Sequence, residues 1–125
     1  MSRLYGCDIQ TISKNRLKVS LDYSTNNGVT LLLKGPYTIV TTPSGVQYIN
    51  INGNSGMATG GSGDVLSGII GAFLARGLDE EFAASLGAFI HARAGDFAAI
   101  TLGKDSMIAS DIITNIPNAL NLPLD

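Results

Sequence analysis

The sequence has a single cysteine, Cys7, among its 125 residues. One cysteine cannot form an intrachain disulfide or a cysteine-ligated metal cluster, and an unpaired thiol is typical of the reducing cytoplasm. The sequence also lacks a run of lysine or arginine, and its net charge is −2, which argues against nucleic-acid binding through a basic patch. We therefore expect a cytoplasmic protein without a nucleic-acid partner, and we assign no side chain as a metal ligand.

No apolar run is long enough to cross a bilayer. The most apolar stretch, residues 65–74, is far shorter than the roughly 20 residues of a spanning helix, and residues 1–6 lack the apolar core of a signal peptide. We therefore expect a soluble protein with no membrane contact.

Hydrophobic residues nevertheless make up 45% of the chain, charged residues make up only 14%, and the mean hydropathy is +0.25. Such a chain is expected either to cover its elements on both faces or to offer apolar surface to a neighbour.

The first half of the chain predicts a helix, a buried strand and a hairpin. Asp8 is expected to cap one helix that continues to residue 23, with a stripe at positions 12, 16, 19 and 23. The continuous apolar run 29–33 predicts a strand buried on both faces of a parallel sheet. Two β-rich runs, 37–42 and 46–51, are separated by a Pro-Ser-Gly sequence and predict a hairpin.

Helices dominate the predicted second half. Asp64 is expected to open a helix that is apolar on nearly all sides and therefore buried. Asp79 is expected to cap a second helix. The side chains expected on the core side of that helix are Phe82, Leu86, Phe89 and Phe97. A short third helix over residues 110–116 is expected to end at Pro117.

A glycine-rich segment, residues 53–63, precedes the helix at Asp64. Glycines at 60, 61 and 63 let the backbone approach a ligand with its N–H groups exposed. The positive end of the following helix points to the same place, and this combination suits a phosphate. Neither standard phosphate-loop pattern matches, because no Gly-Lys-Ser/Thr follows and the third glycine of the dinucleotide fingerprint is absent. From the glycines alone, a flexible loop is an equally good interpretation.

Asp64 favours a catalytic site over a flexible loop as the interpretation of this segment. A carboxylate beside a phosphate site repels an anionic ligand, so it is an unusual choice for a loop that only binds. It suits a base that accepts a proton from a hydroxyl group being phosphorylated, and a negative charge is favoured at a helix N-terminus. The alternative that Asp64 only caps its helix stays open, and the two roles can coexist.

The segment from Asn54 to Ile70, with its centre Gly56-Met57-Ala58-Thr59-Gly60-Gly61-Ser62-Gly63-Asp64, resembles the catalytic segment of the NAD(P)H-hydrate dehydratases. These enzymes are relatives of the ribokinase-like kinases, which share a Gly-x-Gly-Asp anion hole and base. The run Leu33-Lys34-Gly35-x-x-Thr38 resembles the family's adenylate-binding strand end, and His91-x-x-Ala94-Gly95-Asp96 resembles its following helix. The resemblance extends from the first residue to about Pro117. Ser55 departs from it, since the family usually has proline there.

The resemblance implies an α/β fold of the ribokinase-like, Rossmann-like three-layer αβα type. Residues 1–125 would be the C-terminal part of one such domain, with the N-terminal part and half of the substrate site absent. The implied activity is ADP- or ATP-dependent dehydration of (6S)-NAD(P)H hydrate. The ring hydroxyl is phosphorylated and phosphate is then eliminated, which restores NAD(P)H, with Mg²⁺ bridging the nucleotide phosphates.

The resemblance also implies the site residues. Asp64 would be the catalytic base and, with Asn54, would contact the substrate. The residues implied to bind the adenine nucleotide are Lys34, Gly35, Pro36, Tyr37, Thr38, Gly61, Ser62 and Gly63. The nucleotide is expected at the C-terminal end of strand 29–33, between the turn 34–38 and the glycine turn 60–63, because open α/β sheets bind ligands at strand ends.

Other interpretations stay open. Lys34 could be a solvent-exposed lysine, although Gly35 after a buried strand favours ligand approach, and His91 is expected to have a structural or hydrogen-bonding role. Arg93 and Asp96 have the spacing of a surface pair, and Asp111 is expected to cap or precede the last helix.

The alternative functions are a ribokinase-like kinase of a small alcohol or vitamin precursor and a truncated, non-catalytic nucleotide-binding remnant. We expect the chain to be ordered only with the rest of its domain or as self-associated copies, and to be inactive alone.

Overall fold

The computed structural model describes residues 1–121. The chain divides into two compact units after Ile49. The elements of the first unit are α1 (Ser2–Tyr5), α2 (Ile9–Lys14), α3 (Arg16–Asn27), β1 (Leu31–Leu33), β2 (Ile39–Thr41) and β3 (Gln47–Ile49). Those of the second are a 3-10 turn (Ser55–Met57), α4 (Ser62–Ala75), α5 (Glu80–Leu102), α6 (Ala109–Thr114) and α7 (Ile116–Leu120). Within residues 1–121, none of the helices combines the length and apolarity that a bilayer crossing requires.

The predicted helix after Asp8 is divided in two at Asn15. The cap itself is confirmed, since the Asp8 carboxylate accepts the Thr11 backbone N–H at 2.8 Å. The prediction of one continuous helix is wrong, because Asn15 has φ −130° and ψ 36° and separates α2 from α3. Its side-chain amide donates to the Thr11 carbonyl at 3.1 Å, and such local side-chain bonds compete with the helical ladder. Gly28 ends α3 in the left-handed conformation.

The three strands form an antiparallel sheet in the order β1-β2-β3, with Leu31 opposite Thr41 and Ile39 opposite Ile49. The predicted hairpin is confirmed, and Gly45 supplies its positive φ of 89°. The prediction of a parallel strand buried on both faces is wrong for the part of the chain described. The three leucines of β1 are half-buried and lie at the sheet edge, because a short connection to β2 allows only antiparallel pairing.

Helix α4 begins at Ser62, two residues before the predicted start at Asp64, and Gly61 is its N-cap. Only one face is buried, through Leu66 and Ile69, whereas Leu74 is 43% exposed. The prediction of burial on all sides is therefore wrong for this chain. The apolar pattern of this helix predicted packing partners on every side, but the described residues cover only one side of α4.

Helix α5 forms the centre of the second unit. Its cap is confirmed, since Asp79 accepts the Phe82 N–H at 2.8 Å. Phe82 itself is 55% exposed, so its predicted core position is wrong, whereas Leu86, Phe89 and Phe97 do pack against the core. The reason is a close approach to α4 at Gly87, where an added Cβ would lie only 2.6 Å from the Ile70 side chain. The buried face of α5 is made mostly of alanine and glycine, together with Ile90 and His91.

The last two helices meet at Asn115. Asp111 accepts the Ile108 N–H at 2.8 Å, so its capping role is confirmed, but it does so from the first turn of α6 and does not precede the helix. Pro117, however, lies in the first turn of α7 rather than ending the preceding helix, because the first turn of a helix needs no N–H from this residue. The core of this unit contains Ile69, Ile90, Met107 and Ile112.

Candidate active site

The glycine turn, residues 60–63, presents backbone N–H groups at the start of α4. Gly61 has φ +86°, and its carbonyl accepts the Val65 N–H at 3.1 Å. The Ser62 N–H donates to the Thr59 carbonyl at 3.3 Å. First-turn amides have no acceptor within their own helix, and those of Gly63 and of the next residue find none elsewhere in residues 1–121. These two N–H groups are therefore available to an anion.

The space in front of the glycine turn is open. A Cβ added to Gly60 or to Gly63 would meet no atom within 4 Å. At Gly61 the positive φ would strain any other residue, and an added Cβ would lie 3.2 Å from the Ala109 side chain. Gly61 is thus required by the turn itself, while Gly60 and Gly63 leave room for a ligand.

The Asp64 side chain is exposed in the first turn of α4. It makes no hydrogen bond or ion pair with any residue among 1–121. Because Gly61 is the N-cap and no side-chain capping bond is present, the interpretation of Asp64 as a simple cap is wrong. Its carboxylate is left free beside the open amides.

The Asn54 side chain joins the preceding loop to α5. Its amide nitrogen donates to the Gly95 carbonyl at 3.1 Å and to the Asp96 carboxylate at 2.9 Å, and its oxygen accepts the Gly56 N–H at 3.0 Å. Both amide protons are therefore used. One lone pair of Oδ1 remains for a ligand.

The Asp96 carboxylate anchors this loop to α5. Its second oxygen accepts the Gly53 N–H at 3.0 Å. The predicted Arg93–Asp96 surface pair is wrong, because no such ion pair forms within residues 1–121 and the Arg93 guanidinium lies 5.5 Å from the centre of the Phe97 ring. Sequence reasoning missed this anchoring role, since Gly53 and Asp96 are distant along the chain.

Tight packing reinforces the anchored loop. Met57 lies against the backbone of α5 at Gly95, where there is no room for a Cβ. An added Cβ at Gly56 would lie 2.5 Å from the Lys104 carbonyl oxygen and 2.6 Å from the Met107 sulfur. Residues 53–57 are therefore packed closely within the second unit.

The His91 ring is buried and reaches the first residue of α4. Its Nε2 lies 2.9 Å from the Ser62 carbonyl oxygen and 3.3 Å from the Ser62 hydroxyl. A carbonyl can only accept, so Nε2 carries the proton in this bond. The predicted hydrogen-bonding role of His91 is confirmed, and its bond helps to hold the start of α4.

The turn to which the resemblance assigns nucleotide binding, residues 34–38 (the nucleotide turn), belongs to the first unit and follows β1. Lys34 and Tyr37 are exposed, Tyr37 has φ +54°, and the Thr38 hydroxyl donates to the Gly35 carbonyl at 3.2 Å. Sequence reasoning assigned Gly35 to ligand approach and missed Arg16, whose guanidinium lies against it. An arginine in the stripe of the predicted helix was the signal that could have revealed this contact.

Comparison with solved structures shows the class of fold. The crystal structure of the ADP/ATP-dependent NAD(P)H-hydrate dehydratase from Bacillus subtilis, co-crystallized with ATP/Mg²⁺, matches 95% of this chain with a TM-score of 0.90 and 23% sequence identity. The match covers 43% of that protein's chain. The fold is therefore the ribokinase-like α/β fold expected from the sequence, of which the chain forms a part.

Comparison with protein families goes further. The model of the NAD(P)H-hydrate dehydratase family matches residues 1–118. The bifunctional NAD(P)H-hydrate repair enzyme Nnr of Moorella thermoacetica is 44% identical over 96% of this chain and 23% of its own length. The ADP-dependent (S)-NAD(P)H-hydrate dehydratase of Neisseria meningitidis serogroup B is 41% identical over 76% of this chain and 32% of its own length. The chain belongs to the NAD(P)H-hydrate dehydratase family, and it spans about a quarter to a third of these relatives.

Proposed function

We propose that this chain carries the base and the phosphate-binding turn of an ADP- or ATP-dependent dehydratase acting on (6S)-NAD(P)H hydrate. The observation that carries the proposal is the start of α4, where the free Asp64 carboxylate adjoins open backbone amides. The names of the relatives support the same substrate and co-substrate. The proposal concerns the working enzyme, of which these residues form a part.

Asp64 is the proposed general base. Its carboxylate accepts the proton of the ring hydroxyl while the hydroxyl oxygen forms a bond to the terminal phosphorus of the nucleotide. The bond from that phosphorus to the bridging oxygen breaks. The ring then eliminates inorganic phosphate: its C–O bond to the phosphate breaks, a proton leaves the adjacent ring carbon, and the double bond of NAD(P)H is restored. A carboxylate without hydrogen-bond partners in residues 1–121 suits this role, because no donor among those residues competes for its lone pairs.

The amides of Gly61, Ser62 and Gly63 are proposed to stabilise charge on the transferring phosphoryl group. The Gly63 N–H is open, whereas the Ser62 N–H would exchange its 3.3 Å bond to the Thr59 carbonyl for one to the phosphoryl oxygen. Backbone N–H groups at a helix N-terminus are preorganised for this task. The His91 bond to the Ser62 carbonyl holds the turn in place before the ligand arrives. Gly60 and Gly63 leave the space that the phosphate needs.

Residues Lys34, Gly35, Pro36, Tyr37 and Thr38 are proposed to bind the adenine nucleotide, and Asn54 to contact the substrate through its remaining lone pair. Mg²⁺ is proposed to be held here together with the nucleotide phosphates. Within residues 1–121 no three acidic, histidine or cysteine side chains converge, and Mg²⁺ commonly binds through phosphates, waters and one or two carboxylates. When bound, it would neutralise phosphate charge.

Two further features of the working protein are proposed. Several large apolar side chains are exposed, including Ile51 at 77% and Ile100 at 81%, so we propose that a second copy or further polypeptide covers them. Exposed apolar surface of this kind is typical of an interaction face. Cytoplasmic location, expected from the single cysteine, stays a prediction.

The substitution Asp64→Asn in the complete enzyme tests the proposal. It keeps the shape of the side chain and removes the base, so we expect unchanged nucleotide affinity and turnover reduced by about 10²–10⁴-fold. Turnover is followed by the absorbance of regenerated NADH, and nucleotide affinity by calorimetry. Asp105→Asn is the matched control, because Asp105 is an exposed carboxylate outside the proposed site.

Two results would contradict the proposal. Turnover of Asp64→Asn within about threefold of the parent enzyme, far below the usual cost of removing a base, would show that Asp64 is not the base. A stable phosphorylated alcohol as the end product, without NAD(P)H, would show a kinase of a small alcohol instead.

A further inference from the structure

We infer that Arg16 is a positioning residue of the nucleotide turn, residues 34–38, and that it acts by holding Tyr37 in its left-handed backbone conformation. The inference rests on the proposed function of that turn. All the contacts that carry it lie within the first unit of the chain.

The Arg16 guanidinium bridges both ends of the turn. Its Nη2 donates to the Leu33 carbonyl at 3.1 Å, and its Nη1 donates to the Pro36 carbonyl. No acidic side chain within residues 1–121 forms an ion pair with Arg16. The planar fork of a guanidinium is suited to two such bonds at a fixed separation. The side chain therefore fastens the backbone of the turn rather than neutralising a carboxylate.

The bond to Pro36 controls the backbone angle of the next residue. Tyr37 has φ +54° and, within residues 1–121, is the one residue other than glycine with a positive φ. This conformation is unfavourable for a residue with a Cβ and persists only where its surroundings impose it. Tyr37 is 64% exposed, so its packing cannot impose the conformation. The Pro36 carbonyl that Arg16 holds lies in the peptide plane between Pro36 and Tyr37, and the orientation of that plane about the N–Cα bond of Tyr37 is its φ.

The absence of a side chain at Gly35 leaves room for the Arg16 guanidinium. A Cβ at Gly35 would lie 2.9 Å from Nη2 and 3.2 Å from Cζ of Arg16. The guanidinium therefore occupies the place that any side chain at this position would need. The Thr38 hydroxyl, which donates to the Gly35 carbonyl at 3.2 Å, fixes the adjoining peptide.

A double-substitution experiment in the natural full-length protein separates this role from general stability. Arg16→Lys keeps the charge but loses the fork. We expect it to raise the Kd and KM for ADP about tenfold, equivalent to 1.4 kcal/mol, with kcat within about twofold, because Asp64 lies on another element. Glycine adopts positive φ freely. In a Tyr37→Gly background, Arg16→Lys should therefore change the Kd by less than about threefold, a small part of that tenfold effect.

Lys18→Gln is the control for this experiment, and two outcomes would overturn the inference. Lys18→Gln removes one positive charge from the same helix, where Lys18 pairs with Asp22 at 2.8 Å, and should leave ADP affinity unchanged. An equal loss of affinity from Arg16→Lys in both Tyr37 backgrounds would overturn the inference, as would no loss in either.

Failure of the proposed function would be recognised separately. If the parent protein bound no ADP, the assignment of the nucleotide turn would be wrong. The backbone coupling constants of isotope-labelled Tyr37 would then decide the inference alone. A shift to negative φ in Arg16→Lys would support it, and an unchanged positive φ would overturn it.

Discussion

Replacing Asp96 by asparagine tests whether this carboxylate anchors the loop before the glycine turn. Asp96 accepts the Gly53 N–H at 3.0 Å and an Asn54 amide proton at 2.9 Å. Both partners are donors, and asparagine has one accepting oxygen and one donating nitrogen. Whichever way the new side chain is oriented, one bond is lost and two donors face each other.

The cost of this change follows from the two bonds. A hydrogen bond to a charged group contributes roughly 1.5–3 kcal/mol, and partial exposure of Asp96 lowers this to about 1–2 kcal/mol because water can replace the lost partner. A change of that size corresponds to about 5–30-fold in the equilibrium between closed and open loop. The Gly53 N–H should exchange with deuterium faster by this factor.

Hydrogen exchange of residues 50–58, followed by mass spectrometry or by NMR, is the assay. Arg93→Gln is the matched control on the same helix turn, because Arg93 contacts Phe97 rather than Asp96. If Asp96→Asn left Gly53 exchange within about twofold of the parent, below the expected 5–30-fold, or if Arg93→Gln accelerated it equally, the anchoring role would be refuted.

Three further predictions concern packing, pH and association. Gly56→Ala places a Cβ 2.5 Å from the Lys104 carbonyl oxygen, so thermal unfolding should show that the free energy of unfolding falls by about 1–3 kcal/mol. The control is Gly68→Ala, whose Cβ meets nothing within 4 Å and which should not destabilise the protein. Equal losses in the two variants would contradict the packing. Hydrogen bonds from the Thr11 backbone N–H and hydroxyl lower the pKa of Asp8. The contribution of this cap to the free energy of unfolding should therefore be complete above the usual aspartate pKa of about 3.9. It should be lost as the pH falls through the lower pKa of Asp8 in the folded protein. A stability difference between the parent and Asp8→Ala that did not narrow in acid would refute this. The isolated chain should self-associate in size-exclusion chromatography with light scattering and should not dehydrate NAD(P)H hydrate, and a monodisperse, cooperatively unfolding, active monomer would contradict both expectations.

The features that the sequence alone predicted correctly depend on neighbours within a few residues. The caps at Asp8 and Asp79 each involve an amide three residues away, and the hairpin depends on the Pro-Ser-Gly turn. The glycine turn before α4 and the family resemblance likewise lie in short, contiguous segments. Local chemistry of this kind is the same in any surroundings, so it can be predicted without the tertiary structure.

The tertiary structure decided which distant groups meet. An apolar run predicts burial but not the direction of its partner, so the sequence did not reveal that β1 pairs antiparallel with β2. Hydrophobicity placed Phe82 in the core, but the close approach of Gly87 to Ile70 decided which face of α5 is buried. Arg16 beneath the nucleotide turn and Asp96 against the loop are polar contacts between distant segments. Whether such a group finds a partner depends on the packing of the whole unit. The sequence does not distinguish a charged side chain that faces water from one that bonds a backbone carbonyl.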